Sequence, residues 1–170
     1  MALNRGDRVL LDTNVILEAC RVGCWRAIAS EFELITVEKV IEETQTGHQN
    51  RSPEQNVDEK ALREGLHEVA PVTREEVAAI DIEYPDHGLD QGEHHLVAFA
   101  ATLGYQPIWL LNSPDKGTIR FCSRIKWLDR LVSLQAMTDT LGLPHGRQLR
   151  GNYTRSWLET QINPFRFGQY

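Results

Sequence analysis

The chain has 170 residues, of which 41% are apolar and 25% charged, with a formal net charge of −6. This length is typical of one domain with its own core, and no window holds the roughly 20 apolar residues of a membrane-spanning helix. The N-terminal residues lack a signal-peptide pattern, and three cysteines without CxxC spacing are typical of buried thiols in a reducing compartment. We therefore expect a cytoplasmic protein with no membrane segment.

The charge is unevenly distributed along the chain. Residues 1–115 contain 9 Lys/Arg and 21 Asp/Glu, whereas residues 116–170 contain 9 Lys/Arg and 3 Asp/Glu. One interpretation is a solvated acidic surface with a basic tail. The other is that acidic residues bind a cation while the basic C-terminal surface binds phosphates.

Short apolar runs alternate with amphipathic segments in the first half of the chain. RVLLDT predicts a buried strand, and two helices follow it, NVILEACRVG, capped by Thr13 or Asn14, and CWRAIASEF. ELITV is the next strand and EKVIEETQTG the next helix. The polar stretch HQNRSPEQNVDEK predicts a loop. Two amphipathic helices follow, VDEKALREGLHEV and TREEVAAIDIEY, the second with Thr73 and Glu76 in capping-box spacing.

The second half continues the alternation. After the loop YPDHGLDQG come the apolar helix GEHHLVAFAATLGY, the strand QPIWLLN, the turn SPDKG and the helix TIRFCSRI. WLDRLVSL predicts a last short strand, LQAMTDTLG a helix, and TRSWLETQI a helix in the basic, aromatic tail. The pattern predicts an α/β fold, a three-layer α/β/α sandwich around a short, mostly parallel central sheet. Residues 1–143 form the main domain, and residues 144–170 extend it.

Acidic residues recur where these predicted elements begin or end. Asp12 closes the first strand, and Ser113 and Asp115 follow the strand that ends in IWLL. Further acids lie on helices: Glu42 and Glu43 after LITV, and Asp90 and Glu93, three residues apart, at the start of GEHHLVAFA. Because ligands of open α/β sheets bind outside the carboxyl ends of the strands, we expect these carboxylates to share one cleft.

Clustered carboxylates cannot all be ionised without compensation, and a hard divalent cation such as Mg²⁺ or Mn²⁺ is the usual one. Such a cation lowers the pKa of a bound water and stabilises a phosphodiester under attack, which indicates a hydrolytic nuclease. Each acid also has an ordinary alternative role. Asp12 could cap a helix, Glu42 or Glu43 could be solvated, Glu93 could favour a helix N-terminus, and Asp115 could be a turn residue. Their joint placement at element ends favours the site.

Four segments together resemble a known family. LLDTNVIL resembles the first motif of the PIN-domain ribonucleases, VIEET the second, LDQGEHHLVAFA the third and LLNSPDKG the fourth, in the order of that family. The resemblance covers about residues 8–135. It implies a PIN-like fold and a metal-dependent endoribonuclease. Pro114 departs from the fourth motif, where the family more often has a small or polar residue.

The resemblance also implies roles for individual residues. The catalytic acids would be Asp12, Glu43, Glu93 and Asp115, and these four with Asp90 would bind Mg²⁺ or Mn²⁺. Glu42 remains an alternative to Glu43. Thr13 and Asn14 would orient Asp12 or a bound water, and Ser113 would orient Asp115.

RNA is the expected substrate, with Arg120, Arg124 and Lys126 as phosphate contacts beside the fourth motif. Because His94 and His95 diverge by about 100° on a helix, we expect one inside and one exposed rather than a ligand pair. Many bacterial PIN proteins are toxins, which implies a small antitoxin partner and a homodimer, but the extra length also suits a stand-alone RNA-processing enzyme. A second hypothesis is a non-catalytic PIN-like scaffold or RNA-binding module with an incomplete metal site.

Overall fold

The protein folds around a four-stranded, all-parallel sheet, which confirms the predicted α/β class. The computed structural model describes residues 3–46, 53–105, 107–144 and 148–168. The strand order is β3-β2-β1-β4. The strands are β1 (Arg8–Leu11), β2 (Glu33–Val37), β3 (Glu68–Ala70) and β4 (Trp109–Asn112).

Helices connect and follow the strands. They are α1 (Thr13–Arg21), α2 (Trp25–Glu31), α3 (Glu38–Thr44), α4 (Glu59–Gly65), α5 (Arg74–Glu83), α6 (Gln91–Thr102), α7 (Lys116–Arg124), α8 (Leu134–Thr140) and α9 (Arg155–Arg166). The predicted capping box of α5 is confirmed, because Glu76 N–H donates to Thr73 Oγ1 and Thr73 N–H donates to Glu76 Oε2. Of the helices that the structure describes, none has the length and apolar character needed to cross a membrane.

The central position of β1 in the sheet explains why its sequence is mostly apolar. It pairs in parallel with β2 on one side and β4 on the other, and Val9, Leu10 and Leu11 are fully buried. A strand with neighbours on both sides and helices over its faces needs an almost continuous apolar run. The chain moves from β1 outward to β3 and then crosses back to β4, so right-handed connections place helices on both faces, compatible with the predicted three-layer sandwich.

Two predicted elements differ in the structure. The helix predicted over VDEKALREGLHEV ends at Gly65, and residues 68–70 instead form β3 at the edge of the sheet. The sheet satisfies this backbone, since β3 pairs with β2 and His67 N–H donates to Leu34 O at 2.8 Å. In place of the strand predicted in WLDRLVSL there is a 3₁₀ turn (Leu128–Arg130) and one parallel bridge between Leu131 and Leu111.

The C-terminal tail packs against the main part of the chain. The predicted tail helix is confirmed as α9, with Thr154 as its cap. Leu158 and Ile162 of α9 form a buried cluster with Ile119 of α7, and Tyr153 belongs to the main core. The predicted loop 46–57 lies partly outside the described residues, which resume with a 3₁₀ turn at Pro53–Gln55.

The three cysteines are all free thiols, as expected. Cys24 and Cys122 are buried and Cys20 is half-buried. Burial in apolar surroundings raises the pKa of the Cys20 thiol to about 11, so these side chains behave as small apolar residues.

Candidate active site

The carboxyl ends of three strands converge on Asp12. This residue directly follows β1, and its N–H donates to the carbonyl of Asn112, the last residue of β4, at 3.2 Å. Asp115 follows β4 through a short turn, and Glu43 lies on α3, which begins directly after β2. The chain continues from β1 to β2 on one side, and β4 lies on the other side of β1. The predicted acids therefore meet at the kind of crevice where α/β sheets bind ligands.

Carboxylates cap three of the helices at this edge. Asp12 caps α1 by accepting from Thr13 N–H at 2.7 Å, Asp90 caps α6 by accepting from Glu93 N–H at 2.9 Å, and Asp115 caps α7. The structure therefore corrects the prediction that Thr13 or Asn14 caps α1, because the helix begins at Thr13 and the preceding Asp12 is its cap. Each of these capping bonds uses only the Oδ1 atom.

The second oxygen of Asp12 has no such partner. Asp12 is 2% exposed, and its Oδ2 is buried without a hydrogen bond among the described residues. A buried, ionised oxygen in this position costs free energy unless a cation or a proton compensates it. Burial, together with the nearby charges of Asp90 and Glu43, raises the pKa of Asp12 to about 7.

Glu93 couples the acidic residues to one another. It is 3% exposed, and its Oε2 accepts from Asp90 N–H at 3.3 Å, which completes the capping box of α6. Burial raises the pKa of Glu93 to about 8, and the negative charges of Asp12, Asp115 and Asp90 add to this effect. The charges that act on Glu93 indicate that Asp12, Asp90 and Asp115 lie near it in one acidic cluster.

The structure places Glu43, rather than Glu42, in this cluster. Glu42 points to solvent and pairs with Lys39 at 3.0 Å, whereas Glu43 Oε2 accepts a 2.7 Å hydrogen bond from the Thr13 hydroxyl. A side chain at Gly92 would overlap with the Glu43 carboxylate, so glycine at that position lets α3 bring its acid against α6. The Thr13 hydroxyl was predicted to orient Asp12 or a water, and here it binds Glu43 instead.

The two other predicted orienting residues lie beside the acids. Ser113 is buried, and its hydroxyl accepts from the backbone N–H of Asp115 at 3.4 Å, so it contacts the backbone rather than the carboxylate. Asn14 is exposed at the mouth of the site.

An open cavity of about 710 Å³ lies over the cluster. Its lining consists of Asp12, Thr13, Asn14, Leu17, Glu43, Thr46, Gln55, Asp90, Gln91 and Arg150. Neither Glu93 nor Asp115 belongs to this lining. Arg150, which reaches the cavity from the C-terminal tail, was not among the predicted site residues. The basic character of the tail was the signal that could have suggested it.

The three basic residues predicted to bind RNA lie elsewhere. Arg124 donates to Asp86 O at 3.2 Å and stacks over Tyr84. Lys126 lies two residues after the end of α7 with a φ of 63°, and Arg120 lines a separate groove between α7 and α9. None of the three lines the acidic cavity, and their contact with RNA stays a prediction.

The oxygen donors of the acidic cluster fit Mg²⁺ or Mn²⁺ in chemistry, and the buried Oδ2 of Asp12, without a hydrogen bond among the described residues, fits the role of a cation ligand. The carboxylates of different residues nevertheless stand apart. Among the described residues, three ligand atoms come within 4.8 Å of one another only in a different group, Asp81, His87 and His94. Repulsion between ionised oxygens and the capping bonds both favour this separation.

The hydrogen bonds of the Asp81, His87 and His94 group account for it without a metal. Leu89 N–H donates to His87 Nδ1 at 3.0 Å, so the His87 proton lies on Nε2, which faces Asp81 Oδ1 at 3.1 Å. His94 Nε2 faces Val77 O at 3.2 Å and must also carry a proton. Neither Nε2 then offers a lone pair, and the group fastens the loop before α6. His94 and His95 are both half-buried, whereas one was predicted to lie inside and the other to be exposed.

No protein-family model, curated protein or solved structure matches this chain. The resemblance to PIN-domain ribonucleases therefore stays a prediction from the four motifs. The geometry of the acidic cluster is the independent basis for a proposal.

Proposed function

We propose that the protein is a metal-dependent endoribonuclease of the PIN type, which hydrolyses RNA phosphodiester bonds. The observation that carries the proposal is the buried Oδ2 of Asp12, which has no partner among the described residues and lies among other carboxylates at the carboxyl edge of the sheet. Burial of a charged oxygen without a partner costs free energy, and a bound divalent cation offsets that cost. The toxin–antitoxin role and the homodimer stay predictions from the motifs.

Asp12, Glu43, Asp90, Glu93 and Asp115 would hold the Mg²⁺ or Mn²⁺ ion. When bound, the ion supplies an activated water and stabilises negative charge on the phosphodiester. The capping bonds hold one oxygen each of Asp12, Asp90 and Asp115 at the start of a helix. Because the helix is rigid, the second oxygen of each carboxylate is held in a fixed orientation. The Thr13 hydroxyl likewise orients the Glu43 carboxylate through a hydrogen bond to one of its oxygens. The raised pKa values of Asp12 and Glu93 mean that both carboxyls release protons when the cation binds near neutral pH.

A non-catalytic PIN-like scaffold is the second candidate, and one observation favours it. Asp90 and Glu93 satisfy each other in a complete capping box. Among the described residues, no three acids of the cluster bring one oxygen each within 4.8 Å of one another. A protein with this function would fold normally and bind RNA without cleaving it.

The experiment incubates the purified wild-type protein with a mixed RNA, once in Mg²⁺ or Mn²⁺ and once in EDTA. The Asp12→Asn variant is incubated with the same RNA and metal ions. Glu42→Gln is the matched control, since Glu42 is the exposed neighbour of a site residue. We expect cleavage with metal by the wild type and Glu42→Gln, and none with EDTA or by Asp12→Asn. Because attack by water forms no cyclic phosphate, analysis of the product ends separates this activity from a contaminating metal-independent ribonuclease. Cleavage by Asp12→Asn at the wild-type rate would contradict the proposal, and folded wild-type protein that binds but never cleaves RNA would favour the scaffold.

A further inference from the structure

A buried carboxylate fastens the C-terminal tail to α1. Glu18 is fully buried and accepts from Arg21 Nε at 2.8 Å and Arg21 Nη2 at 2.6 Å. It also accepts from the backbone N–H of Arg150 at 2.9 Å, across a separation of 132 residues. Arg21 Nη2 donates further to Gln148 O at 2.8 Å. Although burial opposes ionisation, these hydrogen bonds hold the pKa of Glu18 below its usual range, so the carboxylate stays charged. We call this set of hydrogen bonds between α1 and the tail the clamp.

The clamp holds Arg150 in the lining of the acidic cavity. Arg150 is the only basic residue among the described residues that line it, opposite Asp12, Glu43 and Asp90. Its side chain is 53% exposed, and its Nε lies 3.8 Å from Glu18 Oε2. Arg21 already forms two hydrogen bonds to Glu18, and among the described residues the Arg150 guanidinium forms none. Although Nε pairs with Glu18, the other donors of its planar guanidinium are available to a ligand.

We propose that Arg150 binds a phosphate of the RNA backbone and positions the strand over Asp12. This inference rests on the proposed function. The carboxylates of the cavity repel an approaching phosphate, and a metal ion would offset that repulsion only where the carboxylates hold it. A guanidinium at the rim binds a neighbouring phosphate through two parallel N–H donors, in a geometry that an ammonium group does not reproduce. A basic residue of the C-terminal tail thus contributes to a site whose acids come from earlier parts of the chain.

The test compares Arg150→Gln and Arg150→Lys with Arg155→Gln. Arg155 is a matched control because it belongs to the same tail, is 52% exposed and pairs with Asp139 away from the cavity. The glutamine variant keeps the backbone N–H that binds Glu18, and thermal unfolding verifies its fold. Binding is measured by fluorescence anisotropy with a labelled random-sequence 20-nucleotide RNA in Ca²⁺ at several KCl concentrations, with the RNA checked for integrity. Cleavage is measured in Mn²⁺.

We expect Arg150→Gln to raise the Kd and KM for RNA about tenfold, with a smaller effect on kcat. Arg150→Lys should recover part of the lost affinity. Arg155→Gln should match the wild type. The slope of log Kd against log salt concentration should fall by about 0.7 for one lost contact to a single strand. Unchanged Kd, KM and salt slope in Arg150→Gln, with active wild type, would overturn this inference alone. Wild-type protein that neither binds nor cleaves RNA would overturn the proposed function together with it.

Discussion

The Thr13 hydroxyl donates a 2.7 Å hydrogen bond to Glu43 Oε2, although the two residues lie 30 positions apart. Thr13 begins α1 directly after Asp12, and Glu43 belongs to α3. The bond therefore links the acid that follows β1 to the acid that follows β2. In the proposed site it orients one metal ligand relative to another.

Replacing Thr13 with valine should weaken metal binding while leaving the fold intact. Valine keeps the shape of threonine but removes the hydroxyl, so the Glu43 carboxylate loses its orienting partner. Loss of such an outer partner typically lowers metal affinity or activity by about 10–100-fold. The measurement is a Mn²⁺ titration of the cleavage rate, and an unchanged half-saturating Mn²⁺ concentration in Thr13→Val would show that the bond has no role in the site.

The neighbouring pair Glu42 and Glu43 offers a sharp comparison. Glu43→Gln should reduce Mn²⁺ affinity by about tenfold or more, because it removes a charge from a site of hard oxygen ligands. Glu42→Gln should leave it unchanged, since Glu42 faces solvent and pairs with Lys39. Isothermal titration calorimetry with both variants measures this difference. Equal effects of the two substitutions would mean that α3 presents its acids differently from the structure.

The metal-free protein should lose stability as the pH rises from about 4 to 7 because of Asp12. Burial and neighbouring carboxylates raise the pKa of Asp12 from 3.8 to about 7, so across this window the native state holds a proton that the unfolded chain has released. The free energy of unfolding then falls with pH, at most by about 1.4 kcal/mol per pH unit for one proton. Asp12→Asn removes this contribution and should be the more stable protein at pH 8 in EDTA.

Urea unfolding of the wild type and Asp12→Asn at pH 5 and pH 8, both in EDTA, measures this effect. The difference in unfolding free energy between the two proteins should grow in favour of the variant as the pH rises. Glu42→Gln controls for the loss of one negative charge on the surface. A difference that stays constant with pH would contradict the burial of a titrating Asp12.

Much of the fold could be predicted because burial leaves a strong pattern in short segments. β1, β2 and β4 are mostly apolar segments, and the acids near their carboxyl ends follow from the rule for parallel sheets. β3 was missed because it has only three residues, Glu68–Ala70, and its hydrogen bonds to β2 decide its conformation rather than its own side chains.

The positions of Asp12, Asp90, Glu93 and Asp115 in one cluster could also be predicted, since each begins or ends an element. The partners of the acids could not. The contact between Arg150 and Glu18 spans 132 residues, and no local pattern carries that information. The same limit applies to the hydroxyl of Thr13, whose acceptor depends on how α3 packs against α1 and α6.

The most direct test of the central claim is the binding of Mn²⁺ by wild type, Asp12→Asn and His94→Gln, measured by calorimetry and by the metal-induced rise in Tm. We predict that the wild type and His94→Gln bind Mn²⁺ with similar affinity and gain thermal stability, whereas Asp12→Asn loses both effects. Binding by Asp12→Asn as tight as that of the wild type, or binding abolished only by His94→Gln, would contradict a metal site centred on Asp12.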